Sequence, residues 1–246
     1  MFYSCDKNHD YTAPTVNAEG LAYLKILDFA PSFKQITNSY RDSFNVYVNG
    51  IKVNGSFFNY GTIFPSTSNP YIGVPAGPQS IRITLQGIVN PDSVTLASFN
   101  KTLDAGSYYS FIVTDSLLKA NEAKQIFIKD NFAPTDTGHF TLRFVHAVLN
   151  DTLGTSIDIF STLYNMNIFT NIAPGTATAF SPFQYTTVTD VLIVRRSGTL
   201  FELARLSAAS FSRQRAYTIV YKGQPGTVFS ATTAPKGRSI IQYTNF

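Results

Sequence analysis

Two short stretches limit what this sequence can fold into more than anything else in it. The run Leu103-Asp104-Ala105-Gly106-Ser107-Tyr108-Tyr109-Ser110-Phe111-Ile112-Val113 reads as a turn carrying Gly106 that enters a strand of alternating large residues. Tyr109 is then placed to fold back over the turn. Its ring would be anchored by packing and its hydroxyl bonded to backbone at the bend, as in the tyrosine corner of Ig-like sandwiches. A weaker copy follows in Arg215-Ala216-Tyr217-Thr218-Ile219-Val220-Tyr221, where Tyr217 takes the corner position but has lost the preceding glycine. That second corner is expected to be looser. Two corners predict an all-β chain of two tandem Ig-like antiparallel β-sandwiches, and 246 residues leave room for each to bury its own core.

The remaining segments fall into the same order twice. Residues 22–29 form a near-alternating strand ended by Ala30-Pro31, and residues 140–147 answer it in the second half. Phe44-Asn45-Val46-Tyr47-Val48-Asn49-Gly50-Ile51-Lys52-Val53 predicts a hairpin, because Asn-Gly readily takes the positive φ angles of a type I′ turn. Its counterpart is Ile157-Asp158-Ile159-Phe160. Val74-Pro75-Ala76-Gly77-Pro78 reads as a rigid turn into a strand over 80–85, which 191–196 answers without the turn. Residues 124–128 close the first unit, after a single helical turn over 117–123. Residues 1–18 lack apolar periodicity and read as a tether, followed by sandwiches over 19–130 and 138–246 with a Pro, Gly and Asp-bearing seam between them.

Composition enters where partners are concerned. Only 14% of residues are charged against 44% hydrophobic, a palette suited to half-buried pleated surfaces. The net charge of +4 comes from scattered Lys and Arg with no basic cluster, which argues against nucleic acid as a partner. No segment reaches the roughly 18 consecutive apolar residues of a spanning helix. The single cysteine, Cys5, excludes an internal disulfide and a cysteine zinc cluster. Phe2-Tyr3-Ser4-Cys5 looks instead like the tail of a bacterial lipoprotein signal, with Cys5 as the lipidated residue and a polar tether after it.

The order of motifs resembles the bacterial domain-of-unknown-function family numbered 4397, tandem Ig-like repeats common in envelope lipoproteins of the Bacteroidota. Leu142-Arg143-Phe144-Val145-His146-Ala147, Asn45-Val46-Tyr47-Val48-Asn49-Gly50, Val74-Pro75-Ala76-Gly77 and Leu103-Asp104-Ala105-Gly106-Ser107-Tyr108-Tyr109 carry the likeness, over roughly residues 20 to 246. Asp28 stands where the second copy has His146. The resemblance implies a fold and a lipid-anchored place in the outer membrane of the cell envelope, and no activity.

Chemistry is sparse. His9, His139 and His146 are the only imidazole bases, at the tether, the seam and a strand end, so no triad is evident. The aspartates fall singly at turns and strand ends, without the spacing of a calcium loop, and neither a metal nor a cofactor is expected. Tyrosines in polar stretches, above all Tyr71 and Tyr185, are candidate ligand contacts. Asp-Ser/Thr-apolar triplets make Ser93, Ser116 and Thr152 candidate O-glycosylation acceptors. A membrane barrel ending in Phe246 is disfavoured, since Thr244 and Gln242 occupy places that should be apolar. The sequence thus predicts a non-enzymatic binding or adhesion module for an envelope protein, with capture of a surface glycan as the alternative.

Overall fold

The computed structural model describes residues 18–31, 43–55, 58–66, 71–85, 95–114, 125–132, 136–151 and 155–245, and its regular structure is strand apart from one short 3-10 turn. The strands of the first half are β1 (Leu21–Asp28), β2 (Ser43–Val48), β3 (Ile51–Lys52), β4 (Phe58–Asn59), β5 (Ile63–Phe64), β6 (Ile72–Pro75), β7 (Gly77–Leu85), β8 (Thr95–Leu103), β9 (Tyr108–Val113) and β10 (Ile126–Lys129). The second half supplies β11 (His139–His146), β12 (Ile157–Ser161), β13 (Met166–Ile172), β14 (Ser181–Gln184), β15 (Asp190–Arg196), β16 (Glu202–Ala209), β17 (Ala216–Lys222) and β18 (Ser239–Thr244).

They form four sheets with a repeated order. In the first half one sheet runs β10-β9-β1-β5, with β6 also on β1, and the other runs β3-β2-β7-β8, with β4 also on β2. In the second half the orders are β14-β11-β17-β18 and β13-β12-β15-β16. The chain is not strictly antiparallel as expected, because β1 pairs parallel with β9 and β11 parallel with β17. Each of those partners arrives after the chain has crossed to the other sheet and back, which a hairpin could not achieve.

Local chemistry explains the joints. Asn49 and Gly50 take φ of 50° and 80°, the pair of positive values that closes β2 onto β3 with Val48 opposite Ile51. Around Val74 to Pro78 the expected rigid turn is narrower than the sequence suggested. Strand continues on both sides, and at Ala76, with Gly77 at φ 97°, the chain passes from the sheet of β1 to the sheet of β2. Strands β13 and β14, in a polar region, were not legible in the sequence. The helical turn over 117–123 lies outside the described residues.

Three apolar cores result. Leu24, Ile26, Phe44, Ile83, Phe99 and Phe111 meet between the sheets of the first half, and Leu142, Phe144, Ile159, Val194, Ile219 and Tyr221 between those of the second. The third core joins the halves: Leu27, Phe29 and Ile112 from the outer face of β1 and β9 pack on Val145, Val220 and Tyr243 from β11, β17 and β18. Strands β1 and β11 are therefore covered on both faces, which is why their sequences read as nearly unbroken apolar runs.

Candidate functional site

The two corner tyrosines are built alike. The Tyr109 hydroxyl accepts the amide N–H of Asp104 at 3.0 Å and donates to that residue's carboxylate at 3.0 Å. The Tyr217 hydroxyl accepts the amide N–H of Ser212 at 2.8 Å. By this distance the second corner is not looser than the first. Gln214 adopts φ 56° at the position where Gly106 has φ 70°, so the turn keeps its shape and the side chain bears the strain.

The first corner opens onto a recess of 410 Å³ lined by Gly106, Ser107, Tyr108, Lys129, Asp130, Asn131 and Phe132. Strand alternation sends Tyr109 inward, so Tyr108 points to the opposite face of β9. Its half-buried ring stacks on Tyr23 with centroids 4.6 Å apart and lies 5.2 Å from Phe132. Lys129 reaches across the rim to Asp104 at 2.8 Å, and that hydrogen bond raises the lysine and lowers the aspartate from their ordinary values. The recess thus offers two aromatic rings, an amide and an ammonium, while the Asp130 side chain at its base is turned inward and buried. Such a mixture combines apolar ring surface with hydrogen-bonding groups.

Behind the recess lies a buried polar network between the two halves. Arg143 on β11 pairs with Asp130 at 2.5 Å and donates to Thr218 at 2.8 Å. Asp130 also accepts from Ser110 at 2.7 Å and from Tyr71 at 2.8 Å. Lys25 on β1 donates to the Asn245 side-chain oxygen at 2.9 Å, and the Asn245 amide nitrogen donates to Thr218 at 2.7 Å. Burial works most strongly against the charge of Arg143, but Asp130, Tyr243 and Tyr71 together hold the guanidinium above its ordinary value. Among the described residues Lys25 gives its side-chain hydrogen bond to the Asn245 amide, and burial lowers its ammonium to about 7, against the attraction of Asp130 and with help from Arg143.

Strand register shows that these positions correspond. Lys25 lies opposite Ser110 as Arg143 lies opposite Thr218. Asp130 gives its N–H to Tyr108 as Asn245 gives its N–H to Ala216, each one residue before the corner tyrosine. Tyr71 precedes Ile72, the partner of Leu24, as Phe180 precedes Ser181, the partner of Leu142. Each cation stacks on its own ring, Lys25 at 4.3 Å from the Tyr71 centroid and Arg143 at 4.6 Å from that of Phe180. The first half's Lys25 reaches the second half's Asn245, and the second half's Arg143 reaches the first half's Asp130. That reciprocity is the signature of a two-fold interface, here within one chain.

The remaining sequence-based candidates are dispersed. Tyr71, read as a ligand contact because its neighbours are polar, is 9% exposed and serves the network; burial, then the Asp130 charge, pushes its hydroxyl far above the usual phenol range. Tyr185 is half-buried against the second core under the Arg213 guanidinium, 4.7 Å from its centroid. His146 is buried edge-on to Tyr221, whose hydroxyl donates to Asp151 at 3.0 Å, and Asp151 pairs with Arg238 at 2.6 Å. His139 faces Asp136 at 2.6 Å on the surface. Among the described residues no three His, Cys, Asp or Glu converge as a metal site. Cys5, His9, Ser93, Ser116 and Thr152 lie outside the described residues. Tyr108, Phe132 and the Lys25 and Arg143 network were not singled out from the sequence. The available signal was a lone cation at the same place in two otherwise apolar strands.

Comparisons with known proteins add a family but no activity. Solved structures similar to this chain include a family CBM26 module of Eubacterium rectale Amy13K in complex with maltoheptaose, at 11% identity and TM-score 0.26, covering 91% of this chain and 97% of that one. Another is a DUF1812 protein of Bacteroides thetaiotaomicron named for polysaccharide binding, at 11% identity and TM-score 0.24 over 82% and 92% of the two chains. A third, from Bacteroides ovatus and named as an adhesin, has 9% identity and TM-score 0.21 over 84% and 90%. Scores this low transfer no ligand. Among curated proteins none matches the sequence. A family profile does match, from the second residue of β1 to just beyond β11, and so covers the first half and the opening strand of the second, less than the likeness over residues 20 to 246 read from the motifs. On that match, over residues 22–152, the chain belongs to the family described as Domain of unknown function (DUF4397).

Proposed function

We propose that this protein is a non-enzymatic binding module of the bacterial cell envelope, built as two tandem Ig-like sandwiches over 19–130 and 138–246, and that its ligand is a glycan held in the recess beside the first corner. The observation that carries this reading is the pairing of the Tyr108 and Phe132 rings with Lys129 and Asn131 around a 410 Å³ opening. Rings present flat apolar faces to the C–H side of a sugar while the polar groups meet its hydroxyls. The site is held rigidly, because the turn that bears it is tied to β1 by Gly106 N–H to Leu21 O at 2.8 Å. Lipidation of Cys5 would anchor the module, and Ser93, Ser116 and Thr152 would be its glycosylation acceptors.

A protein partner is the second reading. It rests on Leu200, Phe201, Val228 and Phe229, which are 83%, 53%, 74% and 49% exposed in the connections after β15 and β17. Calorimetric titration with a panel of soluble oligosaccharides separates the two. The recess reading expects one of them to bind, with Tyr108→Ala weakening it by about tenfold or more, which corresponds to about 1.4 kcal/mol, while Leu200→Ser leaves it unchanged. Binding that survives Tyr108→Ala, or a panel without any binder, would sink it.

A further inference from the structure

The network between the halves holds two groups that ligand capture does not use. Lys25 and Asn245 are 220 residues apart in sequence, 0% and 2% exposed, and in hydrogen-bond contact through Nζ and Oδ1 at 2.9 Å. We propose that they react with each other, the lysine amine displacing ammonia from the asparagine side chain to leave an isopeptide bond between the first strand and the residue that follows the last.

The surroundings meet each requirement of that step. The nucleophile must be uncharged, and desolvation together with the nearby Arg143 guanidinium brings Lys25 to about 7, so a large fraction of the amine carries a free lone pair near neutrality. Its aliphatic stem and nitrogen are held between the Tyr71 and Tyr243 rings, with centroids 4.3 and 4.4 Å from Nζ. Those rings fix the amine against the amide and exclude water that would otherwise compete. The electrophile is oriented too. Thr218 accepts the Asn245 amide N–H at 2.7 Å, while the Tyr71 hydroxyl stands 3.4 Å from the side-chain oxygen.

In the reaction Nζ attacks Cγ of Asn245, a C–N bond forms, and the carbonyl electrons move to Oδ1, toward which the Tyr71 hydroxyl, 3.4 Å away, turns its proton from Asp130. Collapse breaks the bond from Cγ to Nδ2. The proton shed by the attacking nitrogen ends on Nδ2, which leaves as ammonia; the Tyr71 hydroxyl and the Asp130 carboxylate, 2.8 Å apart, are the groups that can carry it. No oxidant, metal or activated ester is needed. The groups around Nζ are Asp130, Arg143, Tyr71, Tyr243 and Asn245. Across the pseudo-two-fold the equivalent pair is Arg143 and Asp130. A guanidinium there is no nucleophile, so one copy of the arrangement reacts and the other supplies the fixed charges. The product would tie β1 to the end of β18, so force pulling on the segments before Lys25 and after Asn245 would bypass the strands between them.

Mass spectrometry of the full chain after incubation at mildly alkaline pH tests this. The wild-type protein should be lighter than its sequence by one ammonia, about 17 Da. A tryptic digest should join residues 8–34, uncleaved at Lys25, to residues 239–246. Lys25→Met and Asn245→Ala should both have the full mass. A cyclic imide at Asn245 would shed the same mass without Lys25, so a deficit that persists in Lys25→Met would overturn the proposal. So would a wild-type chain at full mass, or a digest with Lys25 cleaved normally; these two readings need no variant to fold.

Discussion

Lys25 and Arg143 occupy the same place in two copies of one fold and end in different chemical states. Arg143 meets a carboxylate at 2.5 Å and remains an ion; Lys25 meets an amide at 2.9 Å and is brought down to about 7. Both are sealed from water, so burial alone does not set the outcome. What differs is the residue across the two-fold, Asp130 in one case and Asn245 in the other. A buried cation facing a carboxylate is a fastening, whereas one facing a neutral amide is a candidate reagent.

The largest effect should come from breaking the ionic copy. Arg143→Met leaves Asp130 buried without its ion-pair partner, although Ser110 and Tyr71 still donate to it, and should cost about 4 kcal/mol in denaturant unfolding. Lys25→Met placed in an Asn245→Ala background removes neither an ion pair nor a hydrogen bond and should change stability by less than about 1 kcal/mol. Equal losses would mean that both cations are fastened in the same way.

The corners provide a smaller contrast. A Cβ added at Gly106 would meet nothing within 4 Å, so Gly106→Ala tests backbone conformation alone and should cost about 1 kcal/mol. Gln214→Gly relieves the same left-handed strain in the second corner and should raise its thermal midpoint by a gain of about 1 kcal/mol or less. If neither substitution changes the midpoint, the shared turn geometry is not what holds the corners.

Features set by neighbouring residues were legible in the sequence. The Asn49-Gly50 turn, the recurrence of strand order and the spacing of each tyrosine from its turn all depend on a few consecutive side chains. Features set by the stacking of the halves were not. Nothing near Tyr71 announces that Asp130 lies 2.8 Å away, and polar neighbours made a buried ring resemble a rim ring. Asn245 sits at the end of a strand without any local sign that it faces Lys25 across 220 residues. The recess was illegible for a related reason: Tyr108 lies on the face of β9 that carries Ser110 and Ile112 toward the second half, and its half-buried place beside Phe132 depends on how that face is covered. The runs around Lys25 and Arg143 did hold a signal, since strands apolar on both faces with one central cation imply a second buried surface.

The contrast between the two cations is tested most directly by an NMR titration of the Lys25 side-chain nitrogen in the full chain carrying Asn245→Ala, where the amine is free to titrate. Because the folded value lies below the ordinary 10.5, the unfolded chain holds the extra proton between about 7 and 10.5, so stability should also climb with pH across that window. Half-buried Lys222, lowered by desolvation against the pull of Asp28, adds to the climb in the same direction, which is why the site-specific signal decides. The account expects a Lys25 midpoint at about 7 or lower; a midpoint near 10.5 would show that Lys25 is an ordinary charged lysine and would contradict it.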